Sequence, residues 1–369
     1  MRILLLSTGG KIGGEEVFTR NLALSLTQKG HYVEVCTGGD IQKDDLIAHG
    51  IPICEIDITG RTPRKIIMTA RQLTDYVVEY RFDIVHAQAV GPALMGVFAK
   101  KLFKCKIPWI WHNHGISKFA YRFIVPILDN LNMCISNSDY VYVMLRNHGI
   151  SLEKCKRIHN GIDYNYFETS HEEQATYRQE VVKEYNIPKT DQIITYIGRL
   201  SPEKGVKYLL TAFKKEYESS KNISLLIVGD GVEKSSLVNS IRNTEIEKKV
   251  HFTGFRTDVK KLLSASDLLV LPSKIETFGL SITQAFAVGV SVVASDIGGV
   301  PEQVLDNFNG LLFKSEDVDD LKDKIHIVLH SKELMDRYTK NAKALCKNYL
   351  NIDRMTNEIF NVYSQLIVK

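Results

Sequence analysis

Residues 276–289 read ETFGLSITQAFAVG and set one carboxylate, one Gly-Leu step and one amide close together. The preceding LVLPS reads as a buried strand, so the segment runs strand, loop, helix, with the helix beginning near Phe278–Leu280. A helix N-terminus presents unpaired N–H groups and the positive end of a dipole, which suit an anion. Glu276 lies just ahead of it, where a carboxylate can accept hydrogen bonds from hydroxyl groups. Gln284 lies more than one turn into the helix, away from the core if Ile282, Ala285 and Phe286 face inward. A second segment, GRLSPEKG at 198–205, holds Arg199 and Lys204 five residues apart around a proline turn. One planar fork and one point charge can there converge on a single diphosphate.

Other segments carry less on their own. GGKIGGEE at 9–16 follows the first apolar run and opens a helix, so backbone there can approach a ligand closely. Its spacing is not that of a dinucleotide-binding turn, which disfavours a dehydrogenase. IWHNHG at 110–115 ends a strand with two histidines. Alternation along the strand is expected to keep both from lining its end equally, and His114, beside the glycine, is preferred. His86 in DIVHAQ is a weaker candidate of the same type. The turns VGDG, TGFR and DIGGVPE outline one rim of the second half.

These residues must be positioned by an alternation of strands and helices. Apolar runs occur at 3–7, 32–36, 83–87, 107–111, 132–136 and 156–160, separated by amphipathic stretches. The pattern restarts after the polar segment 168–192, with runs at 193–198, 224–229, 250–254, 268–272, 291–295 and 310–313, then a helical tail from about 317. Continuous apolar strands alternating with helices imply parallel sheets covered on both faces. The expectation is an α/β chain of two Rossmann-like domains facing across a cleft. Their spans are 1–168 and 169–350, with 351–369 a helix packing toward the first. Ligands of such sheets collect at the carboxyl ends of the strands, where every residue singled out above lies.

The chain has 369 residues, enough for two domains, with 44% hydrophobic and 24% charged residues, a globular balance. Its six cysteines fall in apolar runs with no metal-ligand spacing, so buried free thiols in a reducing cytosol are expected. No apolar run reaches the length of a membrane span. Residues 1–170 hold 20 Lys/Arg against 16 Asp/Glu, and the remainder holds 27 against 27. The basic clusters Arg61, Arg64, Lys65 and Lys100, Lys101, Lys104, Lys106 read as solvated surface or as contacts for anionic headgroups or a phosphorylated substrate. No nucleic-acid-binding motif is present, and no nucleic-acid partner is expected.

Taken in order, GGKIGGEE, WHNHG, HNGID, GRLSPEKG, GDG, SDLLVLPS, ETFGLSITQAFAVG and GGVPE resemble glycosyltransferase family 4, of the GT-B fold, from residue 2 to about 313. The resemblance implies a metal-independent, retaining hexosyl- or N-acetylhexosaminyltransferase. Its donor would be a nucleotide-diphosphate sugar, a UDP-sugar, and no cofactor would be needed. By that resemblance Arg199, Lys204, Gly13, Gly14, Gly279 and Leu280 hold the diphosphate. His114, Glu276, Thr277 and Phe278 hold the sugar, and Gly229, Phe255, Arg256 and Gln284 the nucleotide. His114, Glu276, Arg199 and Lys204 are the implied catalytic set. The second Glu of the family's E-x7-E element is Gln284 here. A charged hydrogen bond exceeds a neutral one by on the order of 1 kcal/mol, so the exchange weakens nucleotide binding about five- to tenfold. The expected acceptor is a saccharide or polyprenyl-linked saccharide, in cell-surface polysaccharide or glycoconjugate synthesis. The expected location is the cytoplasm, with peripheral contact at the inner membrane face. A nucleotide-sugar epimerase of the same architecture and a non-catalytic nucleotide-sugar-binding protein are the competing readings.

Overall fold

The computed structural model describes residues 1–8, 13–39, 43–115 and 118–367, the side chains of 118–120 apart. The chain divides into two units, Met1–Gly161 with Ile352–Lys369, and Ile162–Asn351.

The first unit is built on seven strands: β1 (Arg2–Ser7), β2 (Tyr32–Thr37), β3 (Ile53–Cys54), β4 (Ile84–Ala87), β5 (Trp109–Asn113), β6 (Met133–Ser136) and β7 (Cys155–Arg157). All pair in parallel, in the order β3-β2-β1-β4-β5-β6-β7. The order reverses between β1 and β4, the switch point of a doubly wound sheet. Alternation sorts the strand residues to two faces. Ile3, Leu5, Ile84 and Ile110 pack under the helices Gly14–Gln28 and Ile352–Ile367, through Phe18, Leu22, Ile359 and Tyr363. Leu4, Leu6, Val85 and Trp109 face the opposite way, toward Leu73, Val77 and Met95 of the helices Pro63–Glu79 and Val90–Lys101. The C-terminal helix therefore completes one face of the first sheet.

The second unit carries β8 (Gln192–Ile197), β9 (Ile223–Val228), β10 (Val250–Gly254), β11 (Leu268–Leu271), β12 (Ser291–Ser295) and β13 (Leu311–Phe313), also all parallel. Their order is β10-β9-β8-β11-β12-β13, with the reversal between β8 and β11. Two parallel doubly wound sheets are what the alternation of apolar runs implied.

Three local readings change. The two-residue strand β3 was not anticipated, since Ile53–Cys54 is too short to show a pattern. The polar segment 168–192, to which no element is assigned from sequence, contains the helix His171–Glu184 of the second unit. Ser170 caps it and Glu173 closes the capping box. The unit boundary falls at Gly161–Ile162 rather than 168–169, because Ile162, Tyr164 and Phe167 are buried in the second unit's core. All six cysteines are buried and unbridged. Among the described residues, no helix is long and apolar enough to cross a membrane.

Candidate active site

In the second unit, the loops leaving β8, β9, β11 and β12 meet at the carboxyl edge of the sheet, around its switch point. They meet backbone to backbone, and glycine makes this feasible. A Cβ on Gly229 (φ +139°) would collide with the Gly198 carbonyl, and one on Gly205 (φ +67°) with the Pro272 carbonyl. A Cβ on Gly298 (φ +54°) would strike the Glu276 carbonyl in the same way. These close approaches bring the GRLSPEKG loop against VGDG on one side and against the loop after β11 on the other.

Tyr196, fully buried on β8, sends its hydroxyl to the Arg199 carbonyl at 2.8 Å and fixes the start of that loop. Ser201 Oγ donates to Glu203 at 2.6 Å, and the Glu203 carbonyl accepts from Lys274 N at 2.8 Å. The turn is thereby tied to the segment bearing Glu276. Lys204 Nζ lies 2.6 Å from Glu276 Oε2. The carboxylate also accepts from Thr277 N at 3.2 Å, and Ser273 Oγ stands 3.5 Å away. Arg199 is exposed at the same loop, and among the described residues its guanidinium has no ion-pair or hydrogen-bond partner.

The helix Leu280–Val288 starts directly behind this pair, with Gly279 as its cap at φ +91°. Among the described residues no side chain caps it, which leaves its first N–H groups without a side-chain acceptor. Ile282, Ala285 and Phe286 are buried as expected, and Gln284 is half-buried on another face. Phe278 departs from its expected role. Its side chain is 1% exposed within the core cluster, so it anchors the loop instead of lining a sugar site. Burial of such a ring contributes about 1.5–3 kcal/mol. Its carbonyl accepts from Gln303 Nε2, while Gln303 Oε1 accepts from Thr283 Oγ1 at 2.7 Å. Gln303 is fully buried and holds the helix mouth from beneath. Sequence reasoning missed it, although it follows GGVPE directly.

Of the residues that the resemblance assigns to the nucleotide, Arg256 is already engaged by other side chains. Its guanidinium is held by Asp258 at 2.6 Å, by the Tyr185 hydroxyl at 2.9 Å and by Glu184. Those partners raise its pKa further and tie it to the helix His171–Glu184 at the edge strand β10. Phe255 beside it is exposed. Gly229 N donates to the Gly254 carbonyl at 2.9 Å, so that N–H is already used.

In the first unit, residues 9–12 of GGKIGGEE lie outside the described residues. Gly13 caps the helix Gly14–Gln28, and its N–H is taken by Glu16 Oε2 at 2.8 Å. Glu15 Oε1 accepts from Ser7 Oγ at 2.9 Å and Thr8 N at 3.3 Å. Burial raises the Glu15 pKa to about 7, with Ser7 pulling the other way. This helix mouth therefore carries carboxylates of its own, which is not the plain anion seat the glycines suggested.

His112 and His114 are two residues apart and so share a face, contrary to the alternation expected of them. Their rings stack at 4.5 Å, and Phe18 packs against both. Depth separates them instead. His112 is fully buried at the strand's end, while His114, just past it, is half-buried. His114 Nε2 donates to Gln88 Oε1 at 3.0 Å, because an amide oxygen can only accept. Burial lowers the His114 pKa to about 3, so the ring is neutral at neutral pH. His86 is fully buried and bonded to the Tyr363 hydroxyl at 2.6 Å, a structural position. Gln88, one residue beyond β4, was the partner sequence reasoning did not name.

Comparison with known proteins decides the family. Residues 12–166 match the model described as Glycosyltransferase Family 4, and residues 178–345 match Glycosyl transferases group 1. The chain is a glycosyltransferase of the GT-B fold. It is 24% identical over 366 residues to N-acetyl-alpha-D-glucosaminyl L-malate synthase of Bacillus anthracis, covering 96% of this chain and 95% of that one. It is 25% identical over 304 residues to an Escherichia coli UDP-Gal:alpha-D-GlcNAc-diphosphoundecaprenol alpha-1,3-galactosyltransferase, covering 78% and 76%. The structure of Anabaena Alr3699/HepE in complex with UDP-glucose shares the fold, with a TM-score of 0.87 at 24% identity over 99% of this chain and 100% of that one.

Proposed function

We propose that this glycosyltransferase moves a sugar from a nucleotide-diphosphate sugar, a UDP-sugar, to a saccharide or polyprenyl-linked saccharide, with retention of anomeric configuration. The observation that carries the reading is the Lys204–Glu276 pair at the open mouth of the helix Leu280–Val288, with the unpaired Arg199 beside it. A cation, a carboxylate and unpaired N–H groups together match a diphosphate joined to a hydroxyl-bearing ring. The named UDP-Gal transferase and the UDP-glucose complex among the relatives support the choice of donor.

In this reading Arg199 and Lys204 take the diphosphate, the N–H groups at Gly279 and Leu280 its distal phosphate, and Glu276 a sugar hydroxyl. Gln284 accepts from the ribose. His114, neutral, hydrogen-bonds the reacting sugar and carries no charge that would oppose positive charge developing at the anomeric carbon. The bond from that carbon to the phosphate oxygen breaks as the acceptor hydroxyl bonds on the same face. The hydroxyl proton passes to the departing phosphate, so no side chain need form an adduct. Charge developing on the leaving group is the main demand, and one well-placed donor contributes roughly 10²–10³ in rate. Two cations and a helix end supply it without a metal ion. A lipid-linked acceptor would bring the first unit to the cytoplasmic face of a membrane, where the helix Lys118–Leu128 exposes Phe123 and Ile127.

The test is release of free nucleotide from UDP-, GDP- and ADP-sugars, with and without a lipid extract, by wild type and Glu276→Ala. Acceptor-dependent release from one donor, lost in the variant, supports the proposal. Interconversion of the donor sugar without acceptor would make the protein an epimerase. Binding without release would make it a non-catalytic binder.

A further inference from the structure

Away from that edge, the second unit gathers Glu216, His326 and His330, whose ligand atoms all lie within 4.8 Å of one another. Glu216 belongs to the helix Val206–Ser219. His326 and His330 lie four residues apart on and just after the helix Val318–Leu329, which packs against it. From the geometry of these three side chains we infer a binding site for a divalent transition metal of the Zn²⁺ class, joining the two helices.

Three observations carry it. The Glu216 side chain is 0% exposed, and among the described residues its Oε2 has no hydrogen-bond partner. Lys322 Nζ, 4.0 Å from that oxygen, is the nearest cation, and it also sits 3.3 Å from Asp323. A buried carboxylate oxygen answered only by a long ion pair is costly, and a bound cation removes the deficit. Second, His326 Nδ1 lies 2.9 Å from Glu216 Oε1. Two ligand atoms of a tetrahedral ion with bonds of about 2.0 Å stand about 3.3 Å apart, so replacing the shared proton by a metal asks for a few tenths of an ångström. Third, His330 Nδ1 donates to the His326 carbonyl at 2.9 Å, which leaves the lone pair on Nε2. Metal-bound imidazoles are commonly fixed in this way, the second nitrogen donating to a backbone carbonyl. The two rings stack at 4.1 Å, which keeps both imidazoles on the same side of the helix as Glu216, their ligand atoms within 4.8 Å of the carboxylate.

Two imidazoles and one carboxylate with a water in the fourth position suit Zn²⁺, Co²⁺ or Ni²⁺ better than Mg²⁺ or Ca²⁺, which prefer oxygen ligands. The site is separate from the sugar-transfer loops. Glu216 lies ten residues beyond Val206, about 15 Å along the helix axis. Its role is to fasten one helix to the other, not to take part in catalysis. The i, i+4 histidines of HIVLH were visible in the sequence, but Glu216 is 110 residues away and gave no sign of joining them.

Chelator-treated full-length protein would be titrated with Zn²⁺ by calorimetry and with Co²⁺ by visible absorption, using Mg²⁺ as control. Expected are one Zn²⁺ per chain, a Co²⁺ spectrum without a thiolate charge-transfer band, weakening on acidification, and a raised Tm. His330→Ala, a change at an exposed residue, is expected to weaken binding by about tenfold or more and abolish the Tm rise. It should leave nucleotide release unchanged. Glu216→Gln should weaken binding as well, and His330→Ala decides the matter if that variant folds poorly. No saturable Zn²⁺ binding, binding equal in wild type and His330→Ala, or a thiolate band would overturn the inference.

Discussion

Lys204 and Glu276, 72 residues apart in sequence, form an ion pair of 2.6 Å between the loops after β8 and β11, with the carboxylate side chain only 11% exposed. Each is therefore positioned by the other before any ligand arrives. Removing one leaves the other half-buried and uncompensated, which disturbs the survivor's geometry. Lys204→Ala and Glu276→Ala are each expected to lower kcat/KM by about 10²–10³. The double variant should lie within roughly tenfold of the worse single, since residues acting as a unit are not additive. Nucleotide-release kinetics on the four proteins check this. Fully multiplicative losses would show that the two residues act independently.

Gln284 offers a gain-of-function test. Its amide is half-buried on a helix whose Ile282, Ala285 and Phe286 are all in the core, so a change of side-chain end group leaves the packing intact. Gln284→Glu is expected to tighten binding of UDP about five- to tenfold, the difference between a charged and a neutral acceptor for a ribose hydroxyl. Calorimetric titration with UDP measures it. An unchanged affinity would place the ribose elsewhere.

Much of the fold was legible because buried parallel strands are written as continuous apolar runs, as in ILLL and LLVL. The edge Gly-Arg-Leu and the helix mouth at Gly279 were legible because both are local. What was missed is either too short or too distant. Ile53–Cys54 offers two residues, and His171–Glu184 buries only Val181, so it shows no apolar stripe. The capping box Ser170–Glu173 was the available signal for that helix. Gln88 reaches His114 across 26 residues and Gln303 reaches Phe278 across 25, contacts that only the folded sheet creates. The resemblance implies a sugar contact for Phe278, whereas its side chain turns into the core. Arg256 was read as available, yet Glu184 and Asp258 hold it.

Glu15 gives stability a pH dependence of known sign. Its pKa rises from 4.5 to about 7 in the folded chain, chiefly through burial. The folded state then holds a proton that the unfolded state releases above about 4.5, so this group's contribution is full below 4.5 and is lost as pH rises to about 7. His114 and His86 act in the opposite sense, since burial lowers both from 6.5 to about 3. Their contribution is full above 6.5 and is lost as pH falls toward 3. Glu15→Gln isolates the first effect. The Tm of the variant minus that of wild type is expected to grow by several degrees between pH 4.5 and 7 and then level off. A flat difference across that range would show that Glu15 is ionised in the folded protein.

Gln303 is expected to act on the helix mouth without touching a ligand. Its side-chain amide answers two buried groups at once, the Phe278 carbonyl and the Thr283 hydroxyl, while the Gln303 backbone carbonyl accepts from Asn309 Nδ2 at 2.9 Å. Gln303→Met keeps the volume and removes both side-chain hydrogen bonds. Each buried polar group left without a partner costs about 1–3 kcal/mol, so a loss of roughly 2–6 kcal/mol is expected on urea unfolding. The αL cap at Gly279 depends on the carbonyl just before it, so the N–H groups of 279 and 280 should lose their alignment as well. That predicts a raised donor KM and a lowered kcat in the variant, measured at a temperature where it remains folded. A stability loss with both kinetic constants intact would limit Gln303 to packing.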